Sequence, residues 1–215
     1  MNILKKAFEY LFCASYPYCI YCGSETDIDP KTHACKNCKE LLVPVGKISE
    51  DKNTSLFAVY HFNQPVKDML HNYKYNGKRY LAREISDIMF SLCLNNNLSA
   101  DAVTYVPLHK AKLRKRGFDQ SQLIAKHLAK KLSLPFETML VRTVNTKTQT
   151  RLNHEERKIN VKNAFTAKRP SLPPNILLID DTVTTGSTAY ECAKTLLISG
   201  AKQVIVLCFS HPLLT

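Results

Sequence analysis

Four cysteines near the start of the chain have the spacing of a metal site. Cys19 and Cys22 form one Cys-x-x-Cys doublet, and Cys35 and Cys38 form a second one after a gap of twelve residues. Structural Zn²⁺ is held by four ligands in a tetrahedron, and a Cys-x-x-Cys turn aims two thiolates at one ion. Because four cysteines leave no coordination position open, they predict a structural zinc site rather than a catalytic one.

A thioredoxin-like redox pair is the competing interpretation of these doublets. That motif occurs once, at the head of a helix within a βαβ unit, and we expect neither doublet to have that setting. Cys13 and His33 lie near enough in the sequence to replace one ligand. Cys93, Cys192 and Cys208 stand singly in apolar segments, and we expect them to be buried small hydrophobes.

A second chemical feature is a pair of acids followed by a hydroxyl-rich loop. Asp180 and Asp181 come directly after four apolar residues, 176–179, which predict a strand buried on both faces of a parallel sheet. The loop then supplies four hydroxyl side chains and a glycine: Thr184, Thr185, Gly186, Ser187 and Thr188. An apolar-periodic helix follows and is predicted to stop at Gly200.

Such a loop predicts a phosphate site. Backbone N–H groups at a helix start, together with the helix dipole, attract an anion, and hydroxyl groups add donors. The two acids would repel that phosphate, so we expect them to bind the vicinal hydroxyls of a ribose, directly or through Mg²⁺. The chain has neither a P-loop nor a G-x-G-x-x-G motif, which disfavours nucleotide sites of those two kinds. The alternative that the acids only cap a helix leaves the hydroxyls unexplained.

The basic charge of the chain is concentrated in one segment. Residues 110–170 hold 16 of the 30 Lys and Arg residues and 4 of the 18 Asp and Glu residues. The remaining 14 basic and 14 acidic residues cancel, so this segment carries the whole net charge of +12. A polyanionic partner is therefore expected there, and a solvated basic face is the alternative.

Apolar patterns predict the elements that position these residues. Residues 56–62 predict a strand, and residues 65–76 and 80–94 predict two helices joined by a turn. Three basic residues near that turn, Lys74, Lys78 and Arg79, could face an anion, but we interpret them as solvated and assign them no role. Asp119 begins a capping pattern, which predicts a further helix after the basic residues.

The length of 215 residues suits one medium domain and a small appendage. We expect an N-terminal helix and the zinc knuckle in residues 1–50, and an α/β domain in residues 51–215. No run of eighteen apolar residues occurs, so membrane insertion is not expected. Glu9 interrupts the apolar stretch at the start of the chain. We interpret this stretch as an amphipathic helix rather than a signal peptide, and we therefore expect a cytoplasmic protein.

The stretch from Asp180 to Thr188 resembles the signature loop of type I phosphoribosyltransferases, which bind 5-phosphoribosyl 1-diphosphate (PRPP). The resemblance implies a parallel α/β sheet flanked by helices, with Mg²⁺ accompanying PRPP. It also implies that the paired acids hold the ribose hydroxyls and that the hydroxyl-rich turn holds the 5′-phosphate. Thr182 stands where that family usually has an apolar residue.

Further stretches resemble one branch of that superfamily, the ComF (ComFC-like) competence proteins. Residues 101–108 resemble the strand that leads to the pyrophosphate-side loop. Residues 114–120 resemble the family's Arg-Gly-Phe-Asn-Gln stretch, with Asp119 in place of the usual Asn. Residues 148–165 resemble its flexible-loop block, and the cysteine quartet belongs to the same pattern, so the resemblance covers nearly the whole chain.

The resemblance also implies roles for basic and polar residues beyond the acids. A pyrophosphate-side basic patch is expected at Lys110, Arg114, Lys115 and Arg116. A flexible loop that closes over the site is expected to include Gln149 and Arg157.

The resemblance implies a role in natural transformation, in which the protein binds incoming single-stranded DNA in the cytoplasm beside a helicase-like partner. Tyr105, Phe118 and Phe136 could stack DNA bases or belong to the core. An active, Mg-dependent phosphoribosyltransferase with an unidentified acceptor is the alternative function. In a third interpretation the zinc knuckle is an adaptor for a protein partner and the pocket is vestigial.

Overall fold

The structure is a computed structural model that describes residues 18–144 and 161–212. Four predictions concern residues outside these ranges: the N-terminal helix, the spare ligand Cys13, and the loop residues Gln149 and Arg157. No helix in the two described ranges is both long enough and apolar enough to cross a lipid bilayer.

Helices and strands are interspersed along the described chain. The helices are α1 (Lys36–Leu41), α2 (Gln64–Tyr75), α3 (Leu81–Asn95), α4 (Lys110–Arg116), α5 (Gln120–Leu132) and α6 (Ser187–Ile198). The strands are β1 (Pro44–Glu50), β2 (Thr54–His61), β3 (Ala102–Tyr105), β4 (Leu140–Arg142), β5 (Phe165–Ala167), β6 (Asn175–Thr182) and β7 (Gln203–His211). The predicted strand near residue 56, the two helices that follow it and the strand before the acids are confirmed.

The main sheet has the strand order β1-β2-β7-β6-β3. Strands β2, β7, β6 and β3 run parallel, whereas β1 pairs antiparallel with β2. The expected domain boundary at residue 50 falls at the turn of that β1–β2 hairpin. A separate antiparallel pair joins β4 to β5. The predicted α/β class, with a largely parallel sheet flanked by helices behind a cysteine knuckle, is confirmed.

Side chains of β6 alternate between two hydrophobic clusters, one on each face of the sheet. Leu177 and Ile179 belong to the cluster that includes α2, α3, α5 and the knuckle cysteines. Ile176 and Leu178 belong to the cluster that includes α6 and the β4–β5 pair. All four are nearly inaccessible to solvent, which explains why this strand is apolar without alternation.

Polar side chains cap the N-termini of α2 and α5. Asn63 accepts a hydrogen bond from the Val66 amide (3.4 Å) at the start of α2. Asp119 accepts one from the Gln122 amide (3.2 Å) at the start of α5, as the capping pattern predicts. Cys93, Cys192 and Cys208 are buried, which confirms that they are core residues.

One acidic side chain is buried in the first turn of α3. Glu84 is 4% exposed, and no hydrogen-bond donor among the described residues reaches its Oε2. Burial is the main cause that raises the pKa of Glu84 to about 7, and the nearby Asp87 carboxylate contributes to the same shift. The folded protein therefore binds this proton more tightly than the unfolded chain does.

The first prediction concerns Glu84→Gln. Stabilisation from the protonated carboxyl is complete below its ordinary pKa and is lost as the pH rises through about 7. The amide cannot ionise, so the variant should be more stable than the wild type above neutrality, by on the order of 2 kcal/mol. Urea unfolding between about pH 5 and 8 measures this difference.

A matched control is Glu40→Gln, because Glu40 is an exposed glutamate outside the core. The control should give the same stability difference from wild type at every pH. If the Glu84→Gln difference were also independent of pH, Glu84 would be ionised in the folded protein and the argument would fail.

Candidate functional site

A cleft of about 490 Å³ opens at the carboxyl edge of the parallel strands. Its floor is the end of β6, and one wall is the loop that leads into α6. The opposite wall comes from the end of α2, the segment after β3 and helix α4. All seven residues predicted for the acid pair and the hydroxyl-rich loop line this cleft: Asp180, Asp181, Thr184, Thr185, Gly186, Ser187 and Thr188.

The hydroxyl-rich loop ends at a glycine that the geometry requires. Gly186 is the N-cap of α6 and has a positive φ of 78°. A Cβ atom there would lie 2.6 Å from the Tyr190 ring, so both the backbone conformation and the close packing favour glycine. Because the N-cap residue is a glycine, no N-cap side chain bonds to the first amides of α6. The hydroxyl oxygens of Thr185 and Ser187 lie 3.0 Å apart beside it. The loop thus presents hydroxyls and a helix N-terminus to the cleft, as an anion site requires.

The two acids have different partners although they are neighbours in the chain. Asp180 is 9% exposed, and its Oδ1 accepts hydrogen bonds from the Ser121 hydroxyl (2.8 Å) and the Asp181 amide (2.9 Å). Burial raises the pKa of Asp180 well above its usual range, and the Asp181 carboxylate raises it further. Successive strand residues point to opposite faces, which separates the two carboxyl groups.

Asp181 forms an ion pair with Lys74, which lies in the last turn of α2. The side chains of Asp181 and Lys74 are 12% and 20% exposed, so the pair is largely shielded from solvent. Lys74 Nζ also donates to the Thr182 hydroxyl (3.4 Å), which accepts a second hydrogen bond from Ser210 (3.2 Å). The interpretation of Lys74 as a solvated residue is therefore wrong, because a tertiary contact brings it to the end of β6.

The paired acids do not fit a Mg²⁺ site as they stand. Mg²⁺ prefers charged carboxylates, waters and substrate phosphates in octahedral geometry. Burial favours the neutral form of Asp180 by raising its pKa, and Lys74 already neutralises Asp181. A divalent cation would have to displace an ammonium group that the protein supplies itself.

Basic side chains surround the rest of the cleft. Five basic side chains line it: Lys74, Lys112, Lys115, Arg116 and Arg142. Lys115 and Arg116 were predicted for the pyrophosphate-side patch, whereas Lys110 and Arg114, from the same prediction, lie outside the lining. The predicted basic patch lies on a helix, α4, in which positions three or four apart share a face. This geometry separates residues that are adjacent in the sequence.

Three of the lining cations were missed by the sequence analysis: Lys74, Lys112 and Arg142. Burial lowers the pKa of Lys112, and the positive charges of Arg142 and Arg116 lower it further. The cleft therefore holds mutually repelling cations, and an anion bound among them would relieve that repulsion. A helical wheel of residues 110–116 would have grouped Lys112 with Lys115 and Arg116; for Arg142 we find no signal in the sequence.

One exposed aromatic side chain stands at the mouth of the cleft. Tyr75 is 62% exposed and lines the cleft. Arg116 donates to its hydroxyl (2.9 Å) and places its guanidinium carbon 4.8 Å from the ring centroid. Of the predicted stacking residues, Tyr105 and Phe118 are buried, at 7% and 8% exposure, so they belong to the core.

The four predicted cysteine ligands converge in a separate cluster outside the cleft lining. The Sγ atoms of Cys19, Cys22, Cys35 and Cys38 all lie within 4.8 Å of one another. The Cys22 and Cys35 sulfurs are 3.6 Å apart, close to the roughly 3.8 Å between two thiolates of a tetrahedral zinc site. The four thiols could therefore hold a structural metal. The spare candidate His33 is buried but is not part of this cluster.

Backbone geometry prepares the cysteines for a metal. Burial alone would raise the pKa of the Cys19 thiol, but backbone N–H donors from Cys35, Cys22 and Tyr21 lower it to about 7. Gly23 adopts a positive φ of 82° and donates to the Cys19 carbonyl (2.8 Å), which closes the first turn.

The second cysteine doublet stands at the head of a helix, since Cys35 is the N-cap of α1. This position differs from the expected setting of the doublets. However, α1 leads into the antiparallel β1–β2 hairpin and not into a βαβ unit, so a thioredoxin-like arrangement is still absent here.

Comparisons with known proteins identify relatives along most of the chain. No family model matches it. Competence protein F of Haemophilus influenzae is 26% identical over 201 residues, which are 89% of this chain and 83% of the relative. DNA utilization protein YhgH of Escherichia coli K12 is 30% identical over 204 residues, which are 91% of this chain and 84% of the relative.

Among solved structures, glutamine PRPP amidotransferase from B. subtilis, complexed with ADP and GMP, matches with a TM-score of 0.44 and 21% identity. The match covers 64% of this chain and 30% of that protein. The Escherichia coli relative is thus 30% identical over most of this chain and most of its own length. The chain therefore belongs to the ComF family of competence proteins.

Proposed function

We propose that the cleft binds a phosphoribosyl ligand such as PRPP, and that the protein uses this site in the uptake or use of single-stranded DNA in the cytoplasm. The observation that carries this proposal is the shared cleft. The acid pair, the hydroxyl-rich loop and five basic side chains line one cavity at the carboxyl edge of the sheet. Ligands of open α/β sheets bind at that edge.

Each part of the cleft suits one part of the ligand. The 5′-phosphate lies against the loop from Thr184 to Thr188, where hydroxyls and the N-terminus of α6 supply donors. The ribose hydroxyls lie toward Asp180 and Asp181. The diphosphate lies along α4, where Lys115 and Arg116 offer charge-assisted hydrogen bonds.

The DNA part of the proposal rests on the relatives and on the charge. One relative is named a competence protein and another a DNA utilization protein. In this chain the excess positive charge lies in residues 110–170, and α4 is its exposed helical part beside the cleft. Neutralising phosphates with Lys and Arg side chains drives single-strand binding and makes it dependent on salt. A helicase-like partner, implied by the resemblance, stays a prediction.

An active phosphoribosyltransferase is the second candidate. Basic side chains beside the acid pair favour it, because transfer from PRPP needs charge neutralised on the departing diphosphate. PRPP binding without DNA binding, together with release of diphosphate in the presence of an acceptor, would favour this candidate over the first.

The second prediction concerns the cysteine cluster. We propose that it holds one structural Zn²⁺, because four thiolates in a closed set are the usual ligands of that ion. Purified protein should contain about one zinc per chain by mass spectrometry of the metal. Cys22→Ser should lose the zinc and lower the thermal midpoint, because three of the cysteines pack into the core cluster that includes α2 and α3.

Cys93→Ala is the matched control, since Cys93 is a buried cysteine outside the cluster. It should keep its zinc and lose only packing energy. A Cys22→Ser protein with unchanged zinc content would show that another residue completes the site.

The third prediction concerns the acid pair. Asp180→Asn combined with Asp181→Asn should weaken PRPP binding at least tenfold, or about 1.4 kcal/mol, because the ribose hydroxyls lose their carboxyl partners. Titration calorimetry in saturating Mg²⁺ measures the affinity. Asp68→Asn, on the exposed side of α2, should bind PRPP normally. Unchanged affinity in the double variant would place the phosphoribosyl site elsewhere.

The fourth prediction separates the two faces of α4 by their effects on DNA binding. Lys115→Ala with Arg116→Ala removes two cations that line the cleft, and Lys110→Ala with Arg114→Ala removes two that lie outside its lining. Fluorescence anisotropy at several salt concentrations measures binding of labelled single-stranded DNA. The first pair should cost more affinity and reduce the salt slope by about 1.4, or 0.7 per lost phosphate contact.

PRPP should also compete with DNA in the wild type, because both would occupy the same cationic cleft. Equal losses in the two paired variants would move the DNA to a diffuse surface outside the cleft. Tight, salt-dependent DNA binding that PRPP leaves unchanged would separate the two sites.

A further inference from the structure

The fold family implies Mg²⁺ with PRPP, yet a lysine of this chain occupies the place where a metal would meet the acids. We infer that Lys74 takes the role of that cation at Asp181, so that the cleft binds a phosphoribosyl ligand without Mg²⁺. This inference rests on the proposed phosphoribosyl site and assigns one residue a role in its selectivity.

The position of Lys74 is held by the fold and not only by the ion pair. Its neighbour Tyr73 is fully buried, and the Tyr73 hydroxyl donates to the Gln120 carbonyl (2.8 Å) at the start of α5. The last turn of α2 is thereby fixed beside the end of β6. The ammonium group of Lys74 then contacts Asp181 and the Thr182 hydroxyl.

The hydrogen-bonding capacity of Lys74 suits a bridging role. An ammonium group has three donors and no acceptor. Asp181 and Thr182 account for two donors in the contacts of this residue, which leaves one for an oxygen of the ligand. A Mg²⁺ ion at the same carboxylate would instead need waters and phosphate oxygens around it, and it sheds water reluctantly.

The net charge of the cleft also favours binding of a phosphorylated ligand without Mg²⁺. Among the described residues, five basic side chains and two acidic ones line the cleft, an excess of three positive charges with both acids ionised. Burial raises the pKa of Asp180 and favours its neutral form, which makes the excess larger. A phosphorylated ligand therefore meets enough positive charge from the protein itself, and a divalent ion is not needed to offset the acids.

The test is PRPP binding by the full-length protein with and without Mg²⁺, measured by titration calorimetry. Chelators are avoided because they would strip metal from the cysteine cluster. Mg²⁺ is removed by dialysis instead, the sodium salt of PRPP is the probe, and metal analysis verifies both. The wild type should bind PRPP with affinities that agree within about threefold under the two conditions, a difference under 1 kcal/mol.

Lys74→Met keeps the length of the side chain and removes its charge. In this variant Asp181 loses its counter-ion and repels the ligand, so PRPP affinity without Mg²⁺ should fall at least tenfold. Added Mg²⁺ should restore most of the loss, because the carboxylate is then open to a metal. Lys74→Arg should behave as the wild type does, since it returns a cation at the same place.

Lys78→Met is the matched control, because Lys78 is an exposed lysine of the turn after α2 that does not line the cleft. It should bind PRPP as the wild type does in both conditions. Circular dichroism and zinc content check that each variant is folded, and the wild-type measurement alone is decisive if Lys74→Met does not fold.

Two results would overturn the inference and leave the proposed ligand site intact. One is wild-type protein that binds PRPP only when Mg²⁺ is present. The other is Lys74→Met protein that binds PRPP more tightly than the wild type, which would make Lys74 a competitor of the ligand. Absence of PRPP binding in every condition would instead defeat the proposed function itself.

Discussion

The structure depends on one strand, β6, being buried on both faces. It lies between β7 and β3 in the parallel part of the sheet, and its apolar side chains fill two separate cores. An apolar strand of this kind can expose polar groups only where it ends. The two acids stand at that end, and the chain must turn there into a loop before α6 can cover the sheet. Burial of β6 thus decides where the chemistry of this protein lies.

The polarity of the parallel strands brings the other groups to the same edge. Strands β3 and β6 run in one direction, so the segment after β3 and the loop after β6 emerge side by side. Helix α4 follows β3 and carries its cations to the cleft, and α5 brings Ser121 to Asp180. The acids are therefore surrounded by donors that come from distant parts of the sequence.

The balance of charge in the cleft follows from this arrangement. Two adjacent carboxylates in a poorly solvated place would be unfavourable if both were ionised without partners. Each carboxyl group has its own partners in the fold. Asp180 accepts two hydrogen bonds, and Asp181 forms an ion pair with the ammonium group of Lys74. The described lining holds five basic side chains and two acidic ones, and this excess of positive charge would favour a bound anion. The cysteine knuckle shares a core with α2 and α3, so the cysteine cluster supports the same helix that carries Lys74.

Local patterns in the sequence determined much of this protein. The spacing of Cys19, Cys22, Cys35 and Cys38 was enough to predict a four-thiol cluster. Each Cys-x-x-Cys turn directs two thiols to one side, and two such turns supply the four ligands. The uninterrupted apolar run before Asp180 predicted a strand covered on both faces, and the hydroxyls after it predicted an anion-binding helix start. The capping pattern at Asp119 likewise predicted the start of α5. Each of these depends on residues that are near one another in the chain.

Only the tertiary structure decided which cations belong to the cleft. Lys74 precedes Asp181 by more than a hundred residues, and nothing near it in the sequence distinguishes it from the solvated lysines of the same turn. Arg142 reaches the cleft from a short strand of the second sheet, and the packing of α4 decides which of its two basic faces lines the cleft. Contacts of this kind depend on how helices and strands pack against each other, which periodicity and spacing do not encode.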